Sequence, residues 1–387
     1  MALSAPLSSH RVLLPLLIGA FLLSGCDLFG ADDNEASPLE TTGVFVANGG
    51  NFSDQNGTIT VYDPETMDAA TPSDLQLNAF VHSIDLHNGR LYAQLNTGFN
   101  AGRVTILDPD TYASTAQSDS LGATRYVAFA DSDTSRAYVS TLRGTVQPFT
   151  PTTGDFTGPR VNVGASAGDL LATQEKVFTT IPDTSLALAD TVTNNGSTLA
   201  VFDADAPTSV RSIPLGCDGP SAVAQDGEDE LVVVCTGRTT YNSDFSEVVR
   251  RTPGSIVFVD PSTESVVNRI QLETQVGTLT GTQLAHYDDA SELLHAVSSV
   301  TREIVRVDTD ANALVGRIDV PADSSLTGIA AAAYDGTSQR LYVARGDVQR
   351  PFQASGTMVV LGSSRSIVDE VRIGPAPSHL LIRRESR

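Results

Sequence analysis

The chain of 387 residues contains no tryptophan, one lysine (Lys176), three methionines and three cysteines. There is no Cys-x-x-Cys-His, which excludes covalently attached haem. The six histidines (10, 82, 87, 286, 295 and 379) never fall at H-x-H or H-x-x-x-H spacing, so no transition-metal centre is expected. No G-x-S-x-G nucleophile elbow occurs. "DSDTSR" (131–136) and "DTDAN" (308–312) lack the glycine and distal glutamate of a calcium loop. Together these absences predict a chain without metal or cofactor. Positive charge is scarce too: 24 basic residues face 46 acidic ones, for a net charge of −22. Such a surface repels nucleic acid and anionic membranes. It suits salty surroundings, where carboxylates keep a protein soluble, and an anionic ligand would need a local cluster of arginines.

Long apolar runs are confined to the start. "HRVLLPLLIGAFLLSGC" has a basic flank at Arg11, an apolar stretch and then Leu23-Ser24-Gly25-Cys26. It is too short and wrongly flanked for a membrane span, and reads as a signal peptide over 1–25. The ending resembles a bacterial lipobox, which implies a lipid on Cys26; a plain secretory signal is the alternative. Residues 26–42 are polar, acidic and aperiodic, the composition of a flexible tether. Asp27 resembles an inner-membrane retention signal of enteric bacteria. Asp32, Asp33 and Glu35 resemble instead the surface-export signal of Bacteroidetes lipoproteins.

What the sequence has in abundance is one phrase. "GTITVYDPET" from Gly57 returns as "GRVTILDPDT" from Gly102 and "GSIVFVDPST" from Gly254, with weaker copies from Gly144, Ser197, Arg302 and Gly356. The starts are 45, 42, 53, 57, 48 and 54 residues apart, the length of a propeller blade rather than of a helical repeat. Each copy alternates apolar and polar residues, as a half-buried strand does. It ends in a turn where Asp63, Asp108 or Asp260 can accept backbone hydrogen bonds and proline presets φ. A β-rich segment precedes each copy ("VFVANG", "LYVARG"), a small-residue run precedes that ("PSAVAQD", "IAAAAYD"), and a further strand follows ("VVNRIQL"). Four strands in each of seven units predict an all-β, seven-bladed β-propeller over 43–387. The chain ends on an inner-strand pattern, "PSHLLIRR" (377–384), and begins without one. The C-terminal strand is therefore expected to complete the N-terminal blade and remove an open sheet edge.

"LYVARG" and "VFVANGG" resemble the YVTN-type propeller repeats of bacterial surface proteins. "VFVANGGNFSDQNGTITVYDPET" is similar to the opening of a family of Bacteroidetes lipoprotein propellers, some of which capture corrinoids for a TonB-dependent transporter. The resemblance spans 43–384. It implies an outer-membrane lipoprotein at the cell surface, with a small molecule or an outer-membrane transporter as its partner. The absence of tryptophan removes the aromatic floors typical of quinone-dependent dehydrogenase propellers.

Strand order assigns loops to faces. Segments 48–57, 95–102, 182–196, 236–254, 273–281 and 345–356 share one face and hold the extra residues, while the opposite face has short turns. Long loops on a rigid scaffold are where binding sits. Around the mouth of the axis on that face the sequence places Asn48, Asn51, Phe52, His82, Asn96, Arg125, Arg143, Arg238, Tyr241, Arg302 and Arg345. Arginine forks suit carboxylate or phosphate, and amides and aromatics add specificity. A hairpin turning near Gly227 brings Cys217 and Cys235 together at the same face, which predicts a disulfide. Binding without catalysis is the leading expectation. A lactonase- or dehydrogenase-like site built on His82, Arg125 and a metal-bound water is the alternative, and a protein–protein scaffold is a third.

Overall fold

The computed structural model describes residues 39–73, 75–130, 135–164, 166–182, 197–322 and 326–386. The signal peptide, Cys26, most of the tether, and the loop segment 183–196 lie outside the described residues. The described chain forms seven four-stranded antiparallel sheets and one two-stranded ribbon. In chain order, blade 2 covers 80–117, blade 3 124–162, blade 4 170–214, blade 5 220–271, blade 6 285–319 and blade 7 328–375. Blade 1 is composite. Leu39–Asn48, Thr58–Asp63 and Asp68–Ala70 supply three strands, and Pro377–Ser386 supplies the innermost. The expected seven-bladed propeller and its C-terminal closure are both present.

One boundary moves. The first strand begins at Leu39, so 39–42 belong to blade 1 rather than to the tether: Leu39, Glu40 and Thr41 pair with Ser386, Glu385 and Arg384. The reason is polar pairing at the short-turn face. Thr41 Oγ1 donates to Asp335 Oδ2 at 2.6 Å, and Arg384 bonds both Asp335 and Asp288, whose carboxylates are fully enclosed. Three consecutive blades (6, 7 and 1) are tied at this point.

The Asp-Pro turns work as their sequence suggests. Asp63 Oδ1 accepts from the Glu65 and Thr66 amides, Asp108 Oδ1 from Asp110 and Thr111, and Asp260 Oδ1 from Ser262 and Thr263. Hydrogen bonds from Ser262 and Thr263 hold the Asp260 carboxyl down at about 2. The fifth residue of the turn is left-handed in five copies: Met67 (φ 59°), Tyr112 (59°), Gly154 (79°), Glu264 (54°) and Asn312 (50°). This is the type I turn followed by an αL residue that closes three-to-five-residue hairpins, here with glycine in one copy alone.

Alternation within strands gives each blade two apolar faces. Phe45 and Ala47 point towards blade 2, joining Ile84, Ala93 and Leu95, while Val44 and Val46 point towards blade 7, joining Ala331, Tyr342 and Met358. Seven such clusters occur among the described residues, one in each gap between neighbouring blades. The core is thus divided radially, and no blade can bury itself without both neighbours. A disulfide joins Cys217 to Cys235 beside the gap between blades 4 and 5.

Removing Arg384 strands two buried carboxylates without a countercharge. Arg384→Met is expected to lower the free energy of urea unfolding by about 3 kcal/mol. Adding Asp288→Asn and Asp335→Asn should recover much of that loss. A loss under about 0.5 kcal/mol for the single variant, the scale of an ordinary surface change, would contradict this account of closure.

Candidate functional site

The faces divide as expected. Connections between second and third strands, and those leading into inner strands, lie on one face. Two of the predicted loops prove to be ordered β-structure. Residues 95–102 are strand up to Gly98 and again from Ala101, leaving only Phe99-Asn100 at the tip. Residues 236–254 hold the two-stranded ribbon Arg238–Tyr241 with Val248–Thr252.

Four phenylalanines from three blades gather on this face. Phe52 comes from the blade 1 loop, Phe80 from the start of blade 2's inner strand, Phe99 from the blade 2 tip and Phe352 from the blade 7 loop. Ring centroids lie 4.9 Å apart for Phe52–Phe99, 6.0 Å for Phe52–Phe80 and 6.5 Å for Phe80–Phe352. Phe99 is 72% exposed and Phe352 40%. Val348, in the same blade 7 loop, is also exposed. Gly49 permits the arrangement, since a Cβ there would stand 2.7 Å from the Phe80 ring. Phe99 and Phe352 thus leave apolar ring area in water on a strongly charged protein. Sequence reading found only Phe52. Phe99 and Phe352 stand in loops among polar residues, and that exposure was the available signal.

The axis itself is not an open mouth. The segment leading into blade 6 crosses to the closing strand of blade 1. Thr280 Oγ1 donates to Pro377 O at 3.0 Å, Gln283 Nε2 donates to Leu380 O at 2.9 Å, and Leu380 N–H donates to Gln283 Oε1 at 2.8 Å. Tyr126 of blade 3 reaches across and donates its hydroxyl to Thr282 O at 2.7 Å. This strap corrects the expectation that the predicted residues ring an accessible axis. Segment 273–281 looked like spare loop, but its continuation is anchored by backbone bonds nearly one hundred residues away in sequence.

The predicted residues divide into four groups. His82 and Arg125 face the channel beside the strap, with the His82 ring 5.2 Å from that of Tyr126 and the Arg125 guanidinium 5.9 Å from the same ring. Asn48, Asn96 and Arg345 are internal. Asn48 Nδ2 donates to Thr60 Oγ1 and Thr58 Oγ1 within blade 1. Asn96 exchanges bonds with the Thr124 backbone and staples blade 2 to blade 3. Arg345 is 2% exposed and spends its guanidinium on Glu370, Pro321 O and Thr357. Asn51 shapes its own loop by accepting from the Ser53 amide. Phe52, Arg143, Arg238, Tyr241 and Arg302 remain on the face: Arg143 Nε donates to Asn100 Oδ1 at 2.6 Å, Tyr241 stands beside Phe245, and Arg302 is exposed at a turn. The structure therefore does not assemble the eleven into one site.

Ionisable groups are enclosed on and beside the inner strands, and His295 lies on the second strand of blade 6 with its ring 4.5 Å from that of Tyr334. Burial first, then the charge of Asp169, pushes Asp85 up to about 8. Burial likewise raises Asp169 to about 7, against hydrogen bonds from the Val223 and Leu170 amides. Burial holds His286 down to about 4, His295 and His379 to about 3, and His82 well below the ordinary histidine range. From pH 4 to 6.5 the unfolded chain binds protons on four histidines that the folded chain does not, outweighing the two aspartates. Stability rises with pH there. From 6.5 to about 8 the folded chain still holds protons on Asp85 and Asp169 that the unfolded chain has released, so stability falls. Urea unfolding at pH 5, 6.5 and 8 is expected to give a maximum near 6.5; a steady rise to pH 8 would contradict the buried protonated aspartates.

No protein-family model and no curated protein matches the sequence. Solved structures do. A quinoprotein alcohol dehydrogenase-like protein from Bacteroides thetaiotaomicron aligns with a TM-score of 0.60 at 13% identity, covering 89% of this chain and 79% of that one. Apo AztD from Citrobacter koseri aligns at 0.55 and 13%, over 90% and 100% of the two chains. Kuenenia stuttgartiensis hydrazine synthase aligns at 0.54 and 13%, over 79% and 95%. At such identity the likeness concerns the fold alone, and with the observed sheets it establishes a seven-bladed β-propeller.

Proposed function

We propose that this chain is an extracytoplasmic binding protein, exported by residues 1–25 and held by a lipid on Cys26, which captures its ligand or partner on the long-loop face. The observation that carries this reading is the cluster of Phe52, Phe80, Phe99 and Phe352, drawn from separate blades to one exposed patch. Apolar area left in water at such a patch is a standing source of binding energy, at about 25 cal/mol per Å² covered. Its rings are held by a rigid scaffold, which lowers the ordering cost of association.

The first strand starts at Leu39 among the short turns and reaches the long loops, where the aromatic patch lies, only at Asn48. The resemblance supplies a specific ligand class, a corrinoid, whose flat macrocycle suits stacking on aromatic rings, and a specific partner, a TonB-dependent transporter of the outer membrane. Cell-surface residence follows from the same reading.

The test is a thermal-shift titration of the purified protein with cyanocobalamin and dicyanocobinamide. A ligand at one hundred times its Kd should add about 2.7 kcal/mol of stability. Phe99→Ala with Phe352→Ala should weaken capture at least tenfold and leave the melting temperature of the free protein nearly unchanged, because both rings are exposed. Absence of any shift overturns the corrinoid assignment. Full binding by the double variant overturns the reading of the face.

A further inference from the structure

The gap between blades 6 and 7 is not filled by apolar packing along its whole length. Ile304, Ile318, Leu341 and Leu361 belong to its core. Side chains two apart on a strand share a face, so Arg306 takes the place after Ile304 on the wall that looks towards blade 7. There, at the short-turn end, the packing opens into a cleft of about 210 Å³. Arg306 and Ile318 line it from blade 6, and Tyr334, Leu341, Leu361 and Arg365 line it from blade 7.

The polar part of this wall is a row of donors short of acceptors. Strand register sets His286 beside His295 and His295 beside Arg306. His286 is satisfied, since its Nδ1 accepts from the Tyr334 amide at 3.3 Å. The other two are not. Arg306 Nε is enclosed without a hydrogen-bond partner. The His295 ring, fully buried and stacked on Tyr334, makes no well-formed hydrogen bond and only a poor contact with the Leu293 backbone. Buried polar atoms are nearly always satisfied in a folded protein, so such a row calls for an acceptor from outside the chain. The carboxylates that act on Tyr334, Asp288 and Asp335, are bonded to Arg384, and Asp308 accepts from the Ala311 amide. Across the cleft, Arg365 projects from the short turn between the last two strands of blade 7, where its amide donates to Gly362 O at 2.8 Å.

We propose that this cleft binds a small organic carboxylate, its two oxygens held by Arg306 and Arg365 and its apolar body lying on Ile318, Leu341 and Leu361 beside the Tyr334 ring. Guanidinium forks match carboxylate oxygens, and a carboxylate offers only acceptors, which is what the row lacks. The size agrees, because an apolar cavity of about 150 Å³ is enough for benzene. The site goes beyond the capture proposed above: it lies at the short-turn end, away from the phenylalanine patch, and neither reading depends on the other.

Isothermal titration of the purified protein with benzoate, hexanoate and inorganic phosphate, at neutral pH and constant ionic strength, tests it. Saturable binding of benzoate or hexanoate is expected, at least tenfold tighter than phosphate, which has charge but no apolar body. Arg306→Gln and Arg365→Gln should each weaken it at least fivefold. Arg365 is exposed at a turn, so its variant reads the site without disturbing the core. Arg372→Gln, at an exposed arginine towards the long-loop end of blade 7, should change binding less than twofold. No saturable binding of either organic acid, phosphate bound as tightly as both, or equal losses in the Arg365 and Arg372 variants overturns the site.

Discussion

Every other feature depends on the pairing of the last strand with the first. Pro377–Ser386 lies antiparallel to Leu39–Asn48 and supplies the inner edge that blade 1 lacks. Without it the gaps between blades 7 and 1, and between blades 1 and 2, would each lose part of their apolar filling, because Leu380 packs into one gap and Leu381 against the other. A ring of wedge-shaped units has no partial solution: a missing strand leaves an edge open and two cores wet. The polar side of the same constraint is the meeting of Arg384, Asp288, Asp335 and Thr41 at the short-turn end. The strap of Thr280–Gln283 fastens the other end of the closing strand. The two ends are secured by different chemistry, ionic below and amide-to-backbone above.

Closure also encloses the channel. The channel is narrowed by inner strands rich in alanine and crossed by Tyr126 and the strap, so its histidines and aspartates sit enclosed and shifted away from their ordinary titration. Those shifts describe burial, and none of the groups is gathered into a cluster of three or more metal-ligating side chains among the described residues. The outer part of the long-loop face, by contrast, carries exposed side chains. There the loops of blades 7, 1 and 2 present aromatic rings, and the ribbon of blade 5 presents arginines.

Much of the fold was legible because its signals are local and repeated. Asp63, Asp108 and Asp260 announce turns that the structure builds with the hydrogen bonds expected of them, and the 42-to-57-residue spacing counts the blades. The closing strand was readable from one unmatched inner-strand pattern at the end of the chain. The start at Leu39 was not, because "LETT" is polar and acquires its strand only from partners at 384–386 and 335. The site was harder for the same reason. The sequence puts both Arg302 and Arg345 after second strands, yet Arg302 stands exposed in a turn while Arg345 lies within the second strand of blade 7, buried against Glu370. The second strand of blade 7 runs further than its apolar pattern shows, because Arg345 pairs with Ile329 and Thr357. Phe80 and Phe99 meet Phe52 across the neighbouring blades 1 and 2, and Phe352 reaches Phe80 only because the ring's closure brings blade 7 beside blade 1.

The central claim is that partners meet this protein on the long-loop face and not on the short-turn face. Site-specific photo-crosslinking in intact cells reads that directly, with benzoylphenylalanine placed at Phe99 in one strain and at Met67, exposed among the short turns, in another. The account predicts a discrete crosslinked species from position 99 and none from position 67. Crosslinking from 67 with silence at 99 would contradict it.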